Sequence, residues 1–438
     1  MAEVEYTDLP DTQRQHIADT VKTIREYMTP TLDSFTKSAR TVAGGQQGYQ
    51  IPFFVSDYGQ NSYLAPGATG NSFMQPIAPT SQSMWVGLAY QGKAMYTDGI
   101  FLDTMDKKES LIKEAQLREL AIENFMKHQN YYSIGDNYGY GILAVTTSNT
   151  GGTFTGTTAA STVAGFTKGA HRLVKGVTYD VVDESSFAVV GTMTPTANGT
   201  NSATVTCTTT GSVNNSGAFI VEQGAFNKVP RGLAYLINNN DRIFQGLDTT
   251  DYVEFNSSAI DLNGSSLTSA SINTLKTKVQ IRQNEPSKEG FNRIGHLTPG
   301  SYNVLAIQGF ATGITNTGYL GRTDFSNGKD GTTYGLPGKY IDGDIVWITD
   351  ADIDEDRVYL RNAGDYFRFE LKAMGVENRD GLSQRQAPGD NNVGAAAYFS
   401  QVDWFYNLGF DGQVSGGNYS SAFIQRCAVV NSQVNAAS

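Results

Sequence analysis

Cysteine is almost missing from this 438-residue chain, which has only Cys207 and Cys427. Two thiols so far apart cannot staple a chain of this length, so a disulfide scaffold is excluded and both read as small buried hydrophobes. Charge is scarce too: Asp, Glu, Lys and Arg make up 17% of residues, below the ordinary ~25%. No apolar run approaches the ~20 residues that a membrane helix requires. The opening MAEVEYTDLP has neither a basic n-region nor an apolar h-region, so no signal peptide is expected. Lys/Arg clusters are also missing. With 32 basic against 43 acidic residues the net charge is -11, which argues against a protein built to grip phosphate backbones.

Catalytic signatures are equally sparse. The four histidines (His16, His128, His171, His296) fall on different segments, without the spacing or the Cys/His grouping of a zinc site. GxSxG, P-loop and Rossmann fingerprints are absent. A glycoside hydrolase would need two convergent carboxylates, but the acids here gather on turns and helix faces. No enzymatic activity and no cofactor are expected. One run, Asp350, Asp352, Asp354 and Asp356, spaces carboxylates as a calcium loop does. Glu355 stands where an EF-hand requires Gly, and Arg361 stands where it requires an acid, so the run reads as a solvated acidic turn between strands and not as a metal site.

What the chain has is glycine (47), tyrosine (23), phenylalanine (22) and an apolar fraction of 39%. That describes strands, turns and a sizeable core, in perhaps three lobes at roughly 150 residues each. Ile17, Val21, Ile24 and Met28 mark one helical face behind a cap at Asp11, with Pro30 as the stop. Leu32 and Phe35 mark a second short piece. Residues 41–80 lose periodicity and read as an extended arm lying across something else. Next comes SMWVGLAYQGKAMYTDGIFLD (83–103), in which Gln91-Gly92 between two aromatic-rich runs predicts a β-hairpin with Lys93 at its tip. An isolated hairpin is marginal in water, so Trp85, Tyr90, Tyr96 and Phe101 are expected to lean on a neighbouring domain or chain.

Asp106 and Glu109 then form a capping-box pattern ahead of a helix of more than twenty residues. Its pairs Glu109–Lys113, Glu114–Arg118 and Glu123–Lys127 each add about 0.2–0.5 kcal/mol. Leu111, Ala115, Ile122 and Met126, widened by Leu117, Leu120 and Ala121, give a stripe broad enough to be covered on more than one side. Gly135 and Gly139 end it.

The segments 149–167 and 191–220 carry no charge and are rich in Thr, Gly, Ser and Asn. Alternation around Tyr179/Val181, Val205/Cys207 and Phe219/Val221 predicts a small antiparallel barrel or sandwich inserted after the helix, the alternative being a flexible Thr-rich linker. Beyond 231 the texture is mixed: a helix over 265–282 with Leu267, Leu275 and Val279 on one face, a buried strand over 344–350, and YFRFELK with Phe367, Phe369 and Leu371 inward. A last strand pair, 404–410 and 420–426, closes the chain.

This order of parts resembles the major capsid protein of tailed bacteriophages, the Hong Kong 97-type fold, over essentially the whole chain. SMWVGLAYQGKAMYTDGIFLD sits where that family has its extended loop, and DKKESLIKEAQLRELAIENFMKHQ sits where it has its spine helix. GSVNNSGAFIVEQGAFNKVPRGLAYLI (211–237) is similar to the segment that follows inserted β-modules. DRVYLRN, YFRFELK, DWFYNLGF and SSAFI resemble the final β-rich run.

The resemblance implies an α+β fold in six parts: an N-terminal arm (1–80), an extended loop (81–105), the spine helix and start of a peripheral domain (106–145), a β-rich insertion (146–230), an axial domain (231–345) and return strands of the peripheral domain (346–438). It implies copies tiling as hexamers and pentamers around double-stranded DNA that is enclosed without sequence-specific binding. A separate scaffolding protein, a portal protein and a decoration or cement protein follow as partners, with the virion as location and the host bacterial cytoplasm as the place of assembly. Subunit contacts would fall on Trp85, Tyr90, Lys93, Tyr96 and Phe101. Some members weld subunits through a lysine–asparagine bond. Lys93 has no identifiable asparagine or assisting carboxylate, so no cross-link is expected. The rival reading is an extracellular β-rich surface-layer or adhesin subunit, which the charged central helix opposes.

Overall fold

The computed structural model describes residues 29–40, 48–54, 81–98, 108–135, 139–150, 153–156, 172–197, 204–211, 217–240, 243–283, 293–305, 345–354, 356–376, 385–386, 397–411 and 421–428. The expected helix over 11–28 and the capping box at Asp106 lie outside them.

The described chain begins with the one-turn helix α1 (Pro30–Asp33), which Pro30 opens at its first position. Leu32 and Phe35 are buried as expected. Strand β1 (Thr36–Lys37) follows, and then β2 (Gly48–Phe54) and β3 (Ser81–Gly87), which pair antiparallel from Gly48↔Gly87 to Phe54↔Ser81. The aperiodic stretch thus contains a strand, and it has a core: Tyr49 and Ile51 are buried, and the Tyr49 ring lies 4.9 Å from that of Phe369. Burial alternates along β2, with Tyr49 and Ile51 buried, Gln50 and Pro52 exposed and Phe53 half-buried, so Pro52 stands in phase on the outer face.

Strand β4 (Ala89–Asp98) overturns the expected hairpin. β3 and β4 do not pair with each other. The chain breaks step at Leu88, and Gln91-Gly92, read as a turn, runs straight within β4 opposite Trp404 and Asp403. A distant strand supplies better cross-strand partners than the local one, and tertiary pairing overrides the dipeptide's turn preference. Lys93 therefore stands mid-strand, paired with Val402 and half-buried, and not at a tip.

Helix α2 (Lys108–Ile134) is the longest helix of the described chain. It ends where Gly135 turns left-handed (φ 71) and donates its N–H to the Tyr131 carbonyl at 2.8 Å. Its broad apolar stripe serves two cores. Ile122, Phe125, Met126 and Ile134 pack into the main core, while Tyr132 enters that of the inserted module.

That module is a closed barrel of β5 (Ala144–Thr150), β6 (Thr153–Gly156), β7 (Tyr179–Val182), β8 (Val189–Pro195), β9 (Thr204–Gly211) and β10 (Phe219–Glu222), in the order β10-β5-β6-β9-β8-β7. Leu143, Tyr179, Val181, Val205, Cys207 and Ile220 fill it. Alternating Thr and apolar residues, uninformative as composition, here put hydroxyls outward and side chains inward.

Beyond it lie α3 (Leu233–Leu236), the small pair β11 (Ile243–Phe244) and β12 (Leu247–Asp248), β13 (Ser258–Asp261), α4 (Ser269–Gln283), β14 (Arg293–Leu297), β15 (Ile345–Thr349), β16 (Val358–Asn362), β17 (Tyr366–Val376), β18 (Arg385–Gln386), β19 (Ala397–Phe410) and β20 (Ser421–Gln425). Two larger sheets result. One runs β13-β20-β16-β14-β15, and in the other β19 is flanked by β17 and β18 on one edge and β4 on the other, with β1 outside β17. The final strands are therefore not a pair, since β19 and β20 belong to different sheets. The division expected at 345/346 falls inside β15, in the sheet that joins β13 and β14 to β16 and β20.

Successive residues of a strand face opposite ways, and in β16 and β20 both faces are buried. Val358, Leu360, Ala422 and Ile424 pack against Leu267, Leu275 and Val279 of the α4 region, whereas Tyr359 and Phe423 point into the main core. In β17 the expected phase holds at Phe369, which is fully buried, but Leu371 is 55% exposed and Glu370 is buried. A register shift between Glu370 and Lys372 reverses the strand's facing there.

The junction of α2 with α3 is the tightest backbone approach. A Cβ on Gly232 would overlap the Tyr132 carbonyl oxygen and stand 2.5 Å from the Ile134 carbonyl carbon. Gly232→Ala is predicted to lose about 1–3 kcal/mol by overpacking, read by chemical denaturation. Gly375→Ala, whose Cβ meets nothing within 4 Å, should change stability little.

Candidate functional site

The acidic run of 350–356 connects β15 to β16, and it is not a solvated turn. Asp350 and Asp354 are buried. Asp350 Oδ2 accepts from Thr31 Oγ1 at 2.6 Å and from Asn130 Nδ2 at 2.9 Å, and its Oδ1 accepts the Asp352 N–H at 2.9 Å. Asn130 also donates to Asp352 Oδ2 at 3.1 Å. Buried Arg172 donates to the Asp352 carbonyl at 3.0 Å, sits 3.8 Å from Asp354 Oδ1, and lies 5.3 Å over the Tyr131 ring. Burial, and then the neighbouring Asp352, push the Asp350 carboxyl above its ordinary range, against the hydrogen bonds it accepts. Oxygens of Asp350 and Asp352, two of the four residues spaced for a calcium loop, are thus committed to Thr31, Asn130 and Arg172. Among the described residues, no group of three His, Cys, Asp or Glu is placed to hold a metal.

A second polar cluster docks the barrel on α2. His128, buried, places Nδ1 2.5 Å from Glu222 Oε1, and the Tyr132 hydroxyl donates to Glu222 Oε2 at 2.6 Å. Burial works to raise the Glu222 carboxyl, but the His128 charge and hydrogen bond, the Tyr132 hydrogen bond and the charge of Lys93 outweigh it and bring it down to about 2. Lys93, expected to project to a neighbour, instead contributes to this intramolecular cluster. Burial and the adjacent Glu222 hold the Tyr132 phenol well above its usual value.

The remaining expected contact residues divide. Trp85 is 42% exposed and Tyr90 44%. Tyr90 is nevertheless fixed: its hydroxyl donates to Asp403 Oδ1 at 2.7 Å and its ring lies 4.5 Å from that of Phe405. Tyr96 stands opposite Phe399 in the β4–β19 ladder. Phe101 lies outside the described residues. Trp85 borders a groove of about 360 Å³ between the β3–β4 break, the segment leaving the barrel and α3. Ile243, also on its rim, is 55% exposed. No sequence pattern marks this groove, because its residues come from four separate stretches and meet only through the fold.

No protein-family model matches the sequence, and neither does any curated protein. Among solved structures, the chain is similar to one from the cyanophage A-1(L) capsid asymmetric unit at 10% identity and a TM-score of 0.45, covering 91% of this chain and 93% of that one. It is similar to one from the capsid of Myoviridae phage XM1 at 7% identity and a TM-score of 0.42, covering 90% and 89%. A virus-like particle from Pyrococcus furiosus gives 6% identity, a TM-score of 0.38 and coverage of 95% and 98%.

The Glu222 cluster has a definite pH signature. A carboxyl lowered on folding adds stability that is fully present above its unfolded value near 4.5 and is lost as pH falls toward about 2. Its contribution is on the order of 3 kcal/mol. Glu222→Gln should lower stability at neutral pH and flatten the stability-versus-pH curve between those limits, measured by urea titration. An unchanged acid limb would show that Glu222 does not couple the barrel to α2.

Proposed function

We propose that this chain is the major capsid protein of a tailed bacteriophage, a structural subunit whose copies form hexamers and pentamers and tile an icosahedral shell around packaged double-stranded DNA. The observation that carries this reading is exposed apolar surface beside a long two-stranded ribbon. β19 contributes Val402, Trp404, Tyr406, Leu408 and Phe410 to the main core, and its ladder with β4 runs for ten residue pairs, from Tyr406↔Ala89 to Ala397↔Asp98. A neighbouring copy covers the apolar surface left open there. Exposed Trp85 and Tyr90 near its base, and Leu371 on β17, present apolar area for that contact, in the manner of aromatic anchors.

In this reading α2 and the ribbon form the peripheral lobe that meets other capsomers. The sheet containing β14 and β16, with α4, forms the axial lobe around each ring. The barrel stands between as an accessory module. Ring closure uses heterologous contacts, one patch against a different patch. The net charge of -11 suits a wall that encloses DNA without adhering to it. A separate scaffolding protein, a portal protein and a decoration or cement protein complete the assembly, which forms in the host cytoplasm and ends in the virion. No catalytic role is assigned.

Trp85→Ala should leave a soluble subunit but abolish closed particles, as seen by negative-stain microscopy of the protein expressed with its scaffold. Particles in undiminished yield would remove Trp85 from the contact. A wild-type protein that stays monomeric under all such conditions would sink the shell reading itself.

A further inference from the structure

The groove beside Trp85 has a charge opposite to that of the molecule. Lys228 and Arg231 line it together with Trp85, Leu88 and Ile243, and no carboxylate does, although the chain has 43 acids against 32 bases. The Arg231 guanidinium is held in place: it lies 4.3 Å over the Tyr235 ring and donates to the Tyr235 hydroxyl, while the backbone N–H donates to Asn407 Oδ1 at 2.8 Å. These contacts orient the cation without neutralising it, and among the described residues neither Arg231 nor Lys228 has an acidic partner. Trp85 and Ile243, more than two-fifths exposed, add apolar surface to the same concavity.

A planar aromatic, a branched aliphatic and two cations without acids select an extended peptide that alternates apolar and acidic side chains. The chain carries such a peptide ahead of its first described residue, Thr29. Glu3-Val4-Glu5-Tyr6-Thr7-Asp8-Leu9-Pro10-Asp11 holds four carboxylates, three large apolar side chains and no base. We propose that, in the unassembled subunit, the groove is the docking site of this acidic N-terminal segment, residues 3–11. Its carboxylates meet Lys228 and Arg231, and its apolar side chains cover Trp85 and Ile243. This docking is a property of the chain itself and does not depend on the shell reading.

Trp85 reports on it directly, because Trp347 is 9% exposed and Trp404 is fully buried. In the full-length protein, acrylamide quenching therefore reads access to Trp85. Neutralising the segment (E3Q, E5Q, D8N and D11N together) should raise quenching, and K228E with R231E should do the same. Joining K228E and R231E to E3K, E5K, D8K and D11K should restore the shielding, a rescue that misfolding cannot mimic. A synthetic peptide of residues 1–12, added to the neutralised full-length variant, should lower quenching saturably and lose its effect in high salt. Quenching indifferent to all of these changes, or a charge swap that fails to restore shielding, overturns the proposal. Particle formation is scored separately by microscopy. Lost shells with retained shielding count against the shell reading alone, and lost shielding with intact shells counts against docking alone.

Discussion

The buried carboxylate of Asp350 is the point on which the described parts converge. It receives hydrogen bonds from Thr31, 319 residues earlier, and Asn130, 220 residues earlier. Through its neighbour Asp352 it also touches Arg172, the residue by which the barrel reaches the loop. Placing acids in a dry interior is costly unless each oxygen finds a donor. Because the donors sit on the arm, on α2 and on the barrel, no one of these elements can move away without leaving a buried acceptor unsatisfied. The acid loop contributes less by net stabilisation than by making one mutual arrangement of the parts cheaper than its alternatives, a role known for some buried polar groups.

Around this point the cores are stacked in series. α2 offers Met126 to the main core and Tyr132 to the barrel. β16 offers Tyr359 to the main core and Leu360 to the layer under α4. Both elements are apolar on two sides because both are walls shared between cores. Polar links reinforce the seams: Trp404 Nε1 donates to Glu370 at 2.6 Å, and the Tyr406 hydroxyl donates to Gln129 at 2.7 Å. The ribbon is thereby fixed to the main core at Trp404 and Tyr406.

Whatever depended on local pattern was legible in the sequence. The α2 positions Ile122 and Met126, the α4 face of Leu275 and Val279, and the Thr-apolar alternation of the barrel appear as read, since helical and strand periodicities are properties of neighbours in the chain; Leu267, buried with the α4 face, stands before the helix begins. What failed depended on distant partners. Gln91-Gly92 looks like a turn until β19 is known to lie beside it. β2 is hidden in an aperiodic stretch because its register is set by β3 and Phe369. The phase of YFRFELK is lost at a bulge that no residue type announces. The acidic loop read as solvated because Thr31, Asn130 and Arg172 lie 180 or more residues away from the acids they hold. Trp85 and Tyr90 are exposed, and Lys93 stands within a strand and not at a hairpin tip.

The barrel shows how a whole module can be added at so little cost to the body. Its first and last strands are neighbours, with Phe219↔Val145 and Ile220↔Ala144 in register, and the chain leaving it returns to the helix end it left. Gly135 and Gly232 approach so closely there that a Cβ on Gly232 would stand 2.6 Å from the Gly135 nitrogen, and one on Gly135 would stand 3.0 Å from the Gly232 backbone. For the body, the insertion is therefore a loop whose ends are already together, and closure entropy grows only slowly with the length between them. A joint that tight fixes where the barrel sits but allows it to pivot. Orientation must come from contacts away from the joint, and two polar ones supply it: His128 and Tyr132 grip Glu222 on one side, and Arg172 reaches the acid loop on the other. Two non-collinear attachments and a joint leave a rigid body no free rotation, so the angle of the barrel is set by ionisable groups and not by apolar packing alone.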